Sequence, residues 1–222
     1  NYMVNSELLE FNVSKPPNVS FVPPTNLDNE YVNRSWTEIN VSVDDFSNTS
    51  AYIDFNNSLL MYWDFENATS STVYDSSSYN RNGNFQNNVD VDKTNMIRGQ
   101  YGKFSGGTDD RITRPANFLD GLDEVTFSVW VNSSVIASDR GIFNAMTIDD
   151  TDSFGLRYDD DGWGGGANDV IKAGIRTNLG TTQVESAGNI QQSGWQHITY
   201  TWRNGEGIKL YVDGVQVATT YD

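Results

Sequence analysis

Cysteine is absent from this chain, which excludes disulfide staples, thiol nucleophiles, zinc–thiolate sites and iron–sulfur clusters, since each needs sulfur. Stability must therefore come from a buried apolar core, and 222 residues suffice for one large sandwich or two small domains. No apolar run approaches the roughly 20 residues of a membrane-spanning helix; the longest, such as Leu59–Trp63, are strand-sized. Histidine occurs once, as His197, and no Ser-His-Asp arrangement can be assembled without it. Its alternation with Ile198 and Tyr200 reads as a structural strand position. Positive charge is scarce: 14 Lys and Arg stand against 30 Asp and Glu, a formal net charge of −16. Such a surface repels nucleic-acid phosphates and anionic lipid while concentrating divalent cations. A leader is not seen either, and the start at Asn1 without an initiator methionine reads as a processed or partial chain.

What the chain has in abundance is Asn-x-Ser/Thr, at Asn12, Asn18, Asn33, Asn40, Asn48, Asn56, Asn67 and Asn132. Composition alone would produce several of these, but seven of the eight fall before residue 70 and none after 140. Glycan acceptors must sit on solvent-exposed backbone outside the cytoplasm. The clustering therefore predicts an exported, extracellular protein whose N-terminal third carries a glycan coat.

The proline pairs Pro16-Pro17 and Pro23-Pro24 break the first residues into short extended pieces, so 1–24 read as a tail or linker with a strand at Leu8–Val13. Residues 25–57 read as a short β lead-in: Ile39, Val41 and Val43 share one face of a strand, and Ala51–Phe55 is another. From 58 to 222, strand-like runs recur between Gly, Asn, Asp and Ser clusters, namely Leu59–Glu66, Gly102–Phe104, Asp110–Arg114, Glu124–Asn132, Gly141–Thr147, Phe154–Tyr158, Val170–Arg176, Thr181–Ser186, Trp195–Arg203, Ile208–Asp213 and Val215–Thr219. No segment keeps a helical apolar period for three turns. Many short strands punctuated by turns predict an all-β sandwich or barrel. Asp213-Gly214 between the last two runs predicts a type I′ hairpin, which needs positive φ at both central residues.

Five stretches, in order, resemble the laminin-G-like branch of the concanavalin A-like superfamily: Ser58-Leu-Leu-Met-Tyr-Trp-Asp-Phe-Glu66, Asp75–Gly83, Gly99-Gln-Tyr-Gly-Lys-Phe104, Val125-Thr-Phe-Ser-Val-Trp-Val131, and Gly194-Trp-Gln-His-Ile-Thr-Tyr-Thr201 with Leu210-Tyr-Val-Asp-Gly214. The resemblance spans about 58–222 and implies a two-sheet jelly-roll sandwich. It implies further that Trp63, Trp130 and Trp195, in the motif strands, are core residues. The lead-in from Pro23 to Ser58 resembles that of large archaeal surface proteins carrying this domain, which implies an archaeal cell-surface or filament glycoprotein. In the family one or two closing strands follow the Asp-Gly hairpin, whereas this chain stops at Asp222. Either the chain is a fragment, or residues 1–20 of another copy complete the open sheet edge by strand exchange.

Three readings of function follow. The first is a non-catalytic extracellular module for adhesion or assembly, with glycans, other surface proteins or copies of itself as partners. The second is a calcium-assisted, lectin-like module. Hard cations want six to eight oxygens from carboxylates, amides and carbonyls on loops, and the candidate ligands are Glu66, Asp75 and Asn80, then Asp149 and Asp152, then Asp159 and Asp161. For sugar contact the candidate is Trp163, in the glycine-rich stretch Asp161–Gly166, with Tyr158, Asp159 and Asn168 beside it. The third is glycoside hydrolysis, which needs two flanking carboxylates; Asp64 and Glu66 would offer them on one strand face, but the third acid of the hydrolase motif is missing.

Overall fold

The computed structural model describes residues 18–25, 31, 33, 39–44, 54, 57–94, 99–107, 109–134, 139–146, 153–162, 168–178 and 180–220. The chain divides into two compact units, Asn1–Leu59 and Leu60–Asp222.

In the first unit β1 (Asn18–Val22) pairs antiparallel with β2 (Asn40–Asp44). The register sets Val19 against Val43 and Phe21 against Val41, so the period-two pattern puts apolar side chains together on one face of the ribbon. This corrects the reading of 1–24 as an extended tail, since Asn18–Val22 lies between the two proline pairs and is a ladder strand. Five residues are enough for pairing when the prolines stand outside them. The strand expected at Leu8–Val13, and most of that at Ala51–Phe55, lie outside the described residues.

The second unit follows with β3 (Thr72–Val73), β4 (Gly83–Gln86), β5 (Val89–Asp92), β6 (Tyr101–Phe104), β7 (Arg111–Thr113), β8 (Glu124–Asn132), β9 (Arg140–Met146), β10 (Ser153–Asp161), β11 (Asn168–Thr177), β12 (Gly180–Glu185), β13 (Trp195–Arg203), β14 (Gly207–Val212) and β15 (Val215–Thr219). Among the described residues helical structure is confined to 3-10 turns such as Asn117–Leu119. Two four-stranded antiparallel sheets, ordered β12-β11-β10-β9 and β15-β14-β13-β8, form the sandwich, with the smaller sheets β3-β4-β7 and β5-β6 beside them. The fold class is thus all-β, as the spacing of strands and turns predicts.

Parity along each strand decides what is inside. Phe154, Leu156 and Tyr158 of β10 stand across from Ile175, Ala173 and Ile171 of β11, and face Ile198, Tyr200 and Trp202 of β13 and Ile208, Leu210 and Val212 of β14 in one buried cluster. From β8, Val125, Phe127, Val129 and Val131 pack against it. Phe127, Phe143, Phe154 and Tyr200 form a chain of ring contacts with centroids 4.4–6.4 Å apart. One polar side chain bridges core and loop: buried Gln196 accepts hydrogen bonds from the Tyr158 hydroxyl and from Gln192 N–H (both 3.0 Å) and donates to the Ile190 carbonyl. The hairpin joining β14 and β15 has φ of 49° at Asp213 and 79° at Gly214, the positive values its turn type requires.

The expected strand Leu59–Glu66 does not form. Its backbone groups are taken largely by side chains and loop bonds instead of a ladder: Tyr62 N–H donates to Asp75, Glu66 N–H to Asp64, Arg81 Nη1 to the Leu60 carbonyl, and Ser76 N–H to the Tyr62 carbonyl. Trp63 in this segment donates its indole N–H to the Arg81 carbonyl (2.9 Å). Gly83 must lack a side chain, because a Cβ there would stand 2.5 Å from Ile112 Cγ2 and 2.7 Å from the Trp63 ring.

Candidate functional site

The loops around Asp75 contain a dense polar arrangement. Asp75 is 8% exposed; its Oδ1 accepts from Tyr62 N–H (2.8 Å) and Ser77 N–H (2.9 Å), and its Oδ2 from Ser77 Oγ (2.7 Å) and Arg81 N–H (2.7 Å). Four donors fill the four lone-pair positions of the carboxylate. Burial alone would raise its pKa, but these bonds outweigh burial and hold the group below the usual aspartate value. As a calcium ligand Asp75 would have to give up these partners, so the geometry makes it a tie between loops. Glu66 accepts from Gln100 N–H (3.1 Å), and Asn80 occupies a left-handed turn position (φ 55°). Phe65, at φ 64°, turns the chain between Asp64 and Glu66. The pair therefore does not share a strand face, which removes the geometry on which the glycosidase reading rested.

A second acidic group lies where β9 begins and β10 ends. Among the described residues, Asp139, Asp159 and Asp160 bring ligand oxygens within 4.8 Å of one another. The register explains it: Arg140 pairs with Tyr158, so Asp139 comes level with Asp159 just beyond, within reach of Asp160. Such an acidic cluster could hold a metal ion, but in competition with cations already present. Asp159, 3% exposed, has Oδ1 3.0 Å from Lys172 Nζ and Oδ2 against the Arg157 guanidinium; Lys172 is itself only 6% exposed. Asp160 N–H also donates to Asp139 (3.2 Å). Among the described acids of the runs singled out from sequence, Asp159 and its neighbour Asp160 join this group. Asp139 was missed because strand pairing alone brings it there. Asp149, Asp152 and Trp163 lie outside the described residues, as does the side chain of Asp161.

The sugar-contact set is also redistributed. Tyr158 is 1% exposed with its hydroxyl on Gln196, so it belongs to the core; burial pushes its phenol up to about 12, helped by the Asp213 charge. Asp159 is enclosed in its ion pairs. Asn168 is exposed at the start of β11.

The outer face of β8 and β13 carries the remaining chemistry. Because Val129 and Val131 point inward, Ser128, Trp130 and Asn132 point out. Trp130 is 51% exposed, which corrects its expected place in the core; the parity of Thr126, Ser128 and Trp130 was the available signal. Trp63 and Trp195 are half-buried, and among the described residues the buried tryptophan is Trp202. Trp130 lies 5.0 Å from the His197 ring, and His197 Nε2 is 2.8 Å from Ser128 Oγ. A hydrolase would need a carboxylate on the other ring nitrogen. Here Asp213 accepts instead from the His197 backbone N–H (2.8 Å).

A laminin-G family model, described as the concanavalin A-like lectin/glucanases superfamily, matches residues 105–222, more than half of the chain. The chain belongs to this superfamily. No curated protein and no solved structure matches it. The laminin-G match covers both four-stranded sheets but not the motifs at 58–104, for which the resemblance remains a reading of sequence. Laminin-G-like domains are generally non-catalytic, commonly extracellular, and suited to binding glycans or proteins. Among the described residues no helix is long and apolar enough to cross a membrane.

Proposed function

We propose that this laminin-G-like domain is a non-catalytic, N-glycosylated extracellular module that works in adhesion or assembly at a cell surface. The observation that carries the reading is the placement of its sequons: Asn18, Asn33, Asn67 and Asn132 are exposed, and Asn40 is half-buried. The sequence resemblance of the lead-in favours an archaeal surface or filament protein as the setting. For assembly, β15 stands at the end of its sheet, where an extended segment of another copy, such as the residues preceding β1, could add by main-chain pairing.

The Asp139, Asp159 and Asp160 cluster favours a second reading, calcium-assisted saccharide binding. One experiment addresses both: the full chain, made in a glycosylating host, is mapped by glycopeptide mass spectrometry and screened on a glycan array with and without chelator. Modified sequons with no chelator-sensitive array signal are expected. Sequons left bare would sink the glycoprotein reading, and array binding abolished by chelator and by Asp139→Asn would replace adhesion or assembly with the lectin. Turnover of a β-glucan, lost in Glu66→Gln, would overturn both.

A further inference from the structure

A half-exposed tryptophan on a polar strand face presents a flat apolar ring to whatever lies beside it, and the sequence places a glycan acceptor two residues along. In a strand, residues i and i+2 share a face and stand about 7 Å apart. Trp130 and the sequon residue Asn132 are such a pair at the end of β8, and both are exposed. Across the ladder Asn132 pairs with Trp195, and Trp130 with His197, and directly opposite Cβ atoms lie about 5 Å apart. Asn132 is thus bordered by an indole on its own strand and another on the next. Both rings are held in place. His197 packs against Trp130 and is itself tethered to Ser128, while Tyr101 meets Trp195 edge-on at 5.3 Å. Ser133 and the exposed Ser134 of the sequon continue beyond the end of β8.

We propose that Trp130 is the platform for the first sugar of a glycan on Asn132, the apolar C–H face of the hexose lying on the indole and stabilising the sandwich. The proposal rests on the N-glycosylation reading above. The link is an N-glycosidic bond between Asn132 Nδ2 and the anomeric carbon. It forms by transfer from a lipid-pyrophosphate sugar donor, with loss of one amide proton and departure of the lipid pyrophosphate. The spacing recurs: Tyr31, Phe46, Phe65 and Trp130 each stand two residues before a sequon asparagine, Asn33, Asn48, Asn67 and Asn132. With aromatics at 13% of the chain, chance would place about one such residue before eight sequons. At Phe65 the backbone turns (φ 64°) and the ring lies where a Cβ on Gly102 would meet it at 2.6 Å, so the extended geometry that aligns ring and sugar is met at Trp130.

The test uses the full chain from a glycosylating host, with Asn132 occupancy read by glycopeptide mass spectrometry. Ser134→Ala removes the Asn132 glycan without touching Asn132 or Trp130, and its effect on the folded-to-unfolded ratio is measured with Trp130 present and in Trp130→Ala. The glycan is expected to raise the ratio about three- to tenfold when Trp130 is present and not in Trp130→Ala. Ring protons of the first sugar in the unsubstituted chain should be shifted upfield by the indole, a reading that stands even if Trp130→Ala fails to fold. An occupied Asn132 with no such shift and no dependence on Trp130 overturns the platform alone. A bare Asn132 overturns the glycosylation of this site, and the platform with it.

Discussion

Replacing Asp75 by asparagine should destabilise the second unit while changing the side chain's volume little. The amide keeps one oxygen for Tyr62 and Ser77 N–H, but its NH2 must then face the Ser77 hydroxyl, which can rotate to accept, and Arg81 N–H, which cannot. One bond is lost outright, a donor is left facing a donor, and the charge that strengthens the remaining bonds disappears. Hydrogen bonds to charged groups contribute about 1.5–3 kcal/mol each and neutral ones about 1 kcal/mol, so the expected cost is about 2–3 kcal/mol. For a domain of this size that lowers the thermal midpoint by about 5–10 °C. Urea unfolding followed by tryptophan fluorescence measures it. The pH dependence carries a sign. Because hydrogen bonding holds the folded-state pKa of Asp75 below its usual value, the carboxylate's contribution is complete above the unfolded pKa. It is lost as pH falls through the folded value. The gap between parent and Asp75→Asn should be flat above about pH 5 and narrow below about pH 4. A gap under about 1 kcal/mol at neutral pH, or one that does not narrow in acid, would refute the assignment of Asp75 as an ionised tie between loops.

Two further outcomes follow from buried groups. Lys172→Ala removes the buried cation beside the enclosed Asp159 and should cost about 3–5 kcal/mol, whereas the joint change Lys172→Met and Asp159→Leu should recover most of it; equal losses in both, by urea unfolding, would contradict the ion-pair account. The Tyr158 phenol, held protonated until about pH 12, favours the folded state fully below the unfolded pKa of about 10 and less as pH rises from there to 12. Tyr158→Phe should accordingly flatten alkaline unfolding over that range, and an unchanged alkaline profile would count against it.

How much of this was legible beforehand depends on whether a feature is local. β8, β13 and β15 have the bounds that alternation predicts, because a strand with one face buried writes its period into the chain. The Asp213-Gly214 turn is likewise a local matter of φ. Three of the wrong expectations share a cause: each was decided by partners distant in sequence. Leu59–Glu66 looks like a strand until Asp75 and Arg81 claim its backbone. Asn18–Val22 looks like a linker until Asn40–Asp44 pairs with it. Tyr158 and Asp159 look like rim residues until Gln196 and Lys172 enclose them.

By itself the chain determined the absence of thiol chemistry, the acidic surface, the sequon map and the period-two pattern of a sandwich, since each is a property of composition or of near neighbours. Only the tertiary structure decided which strand met which. Register brought Asp139 level with Asp159 and set Asn132 against Trp195, and burial turned Asp159 and Lys172 into a pair. Those outcomes depend on desolvation and on contacts between residues far apart in sequence, which no local pattern encodes.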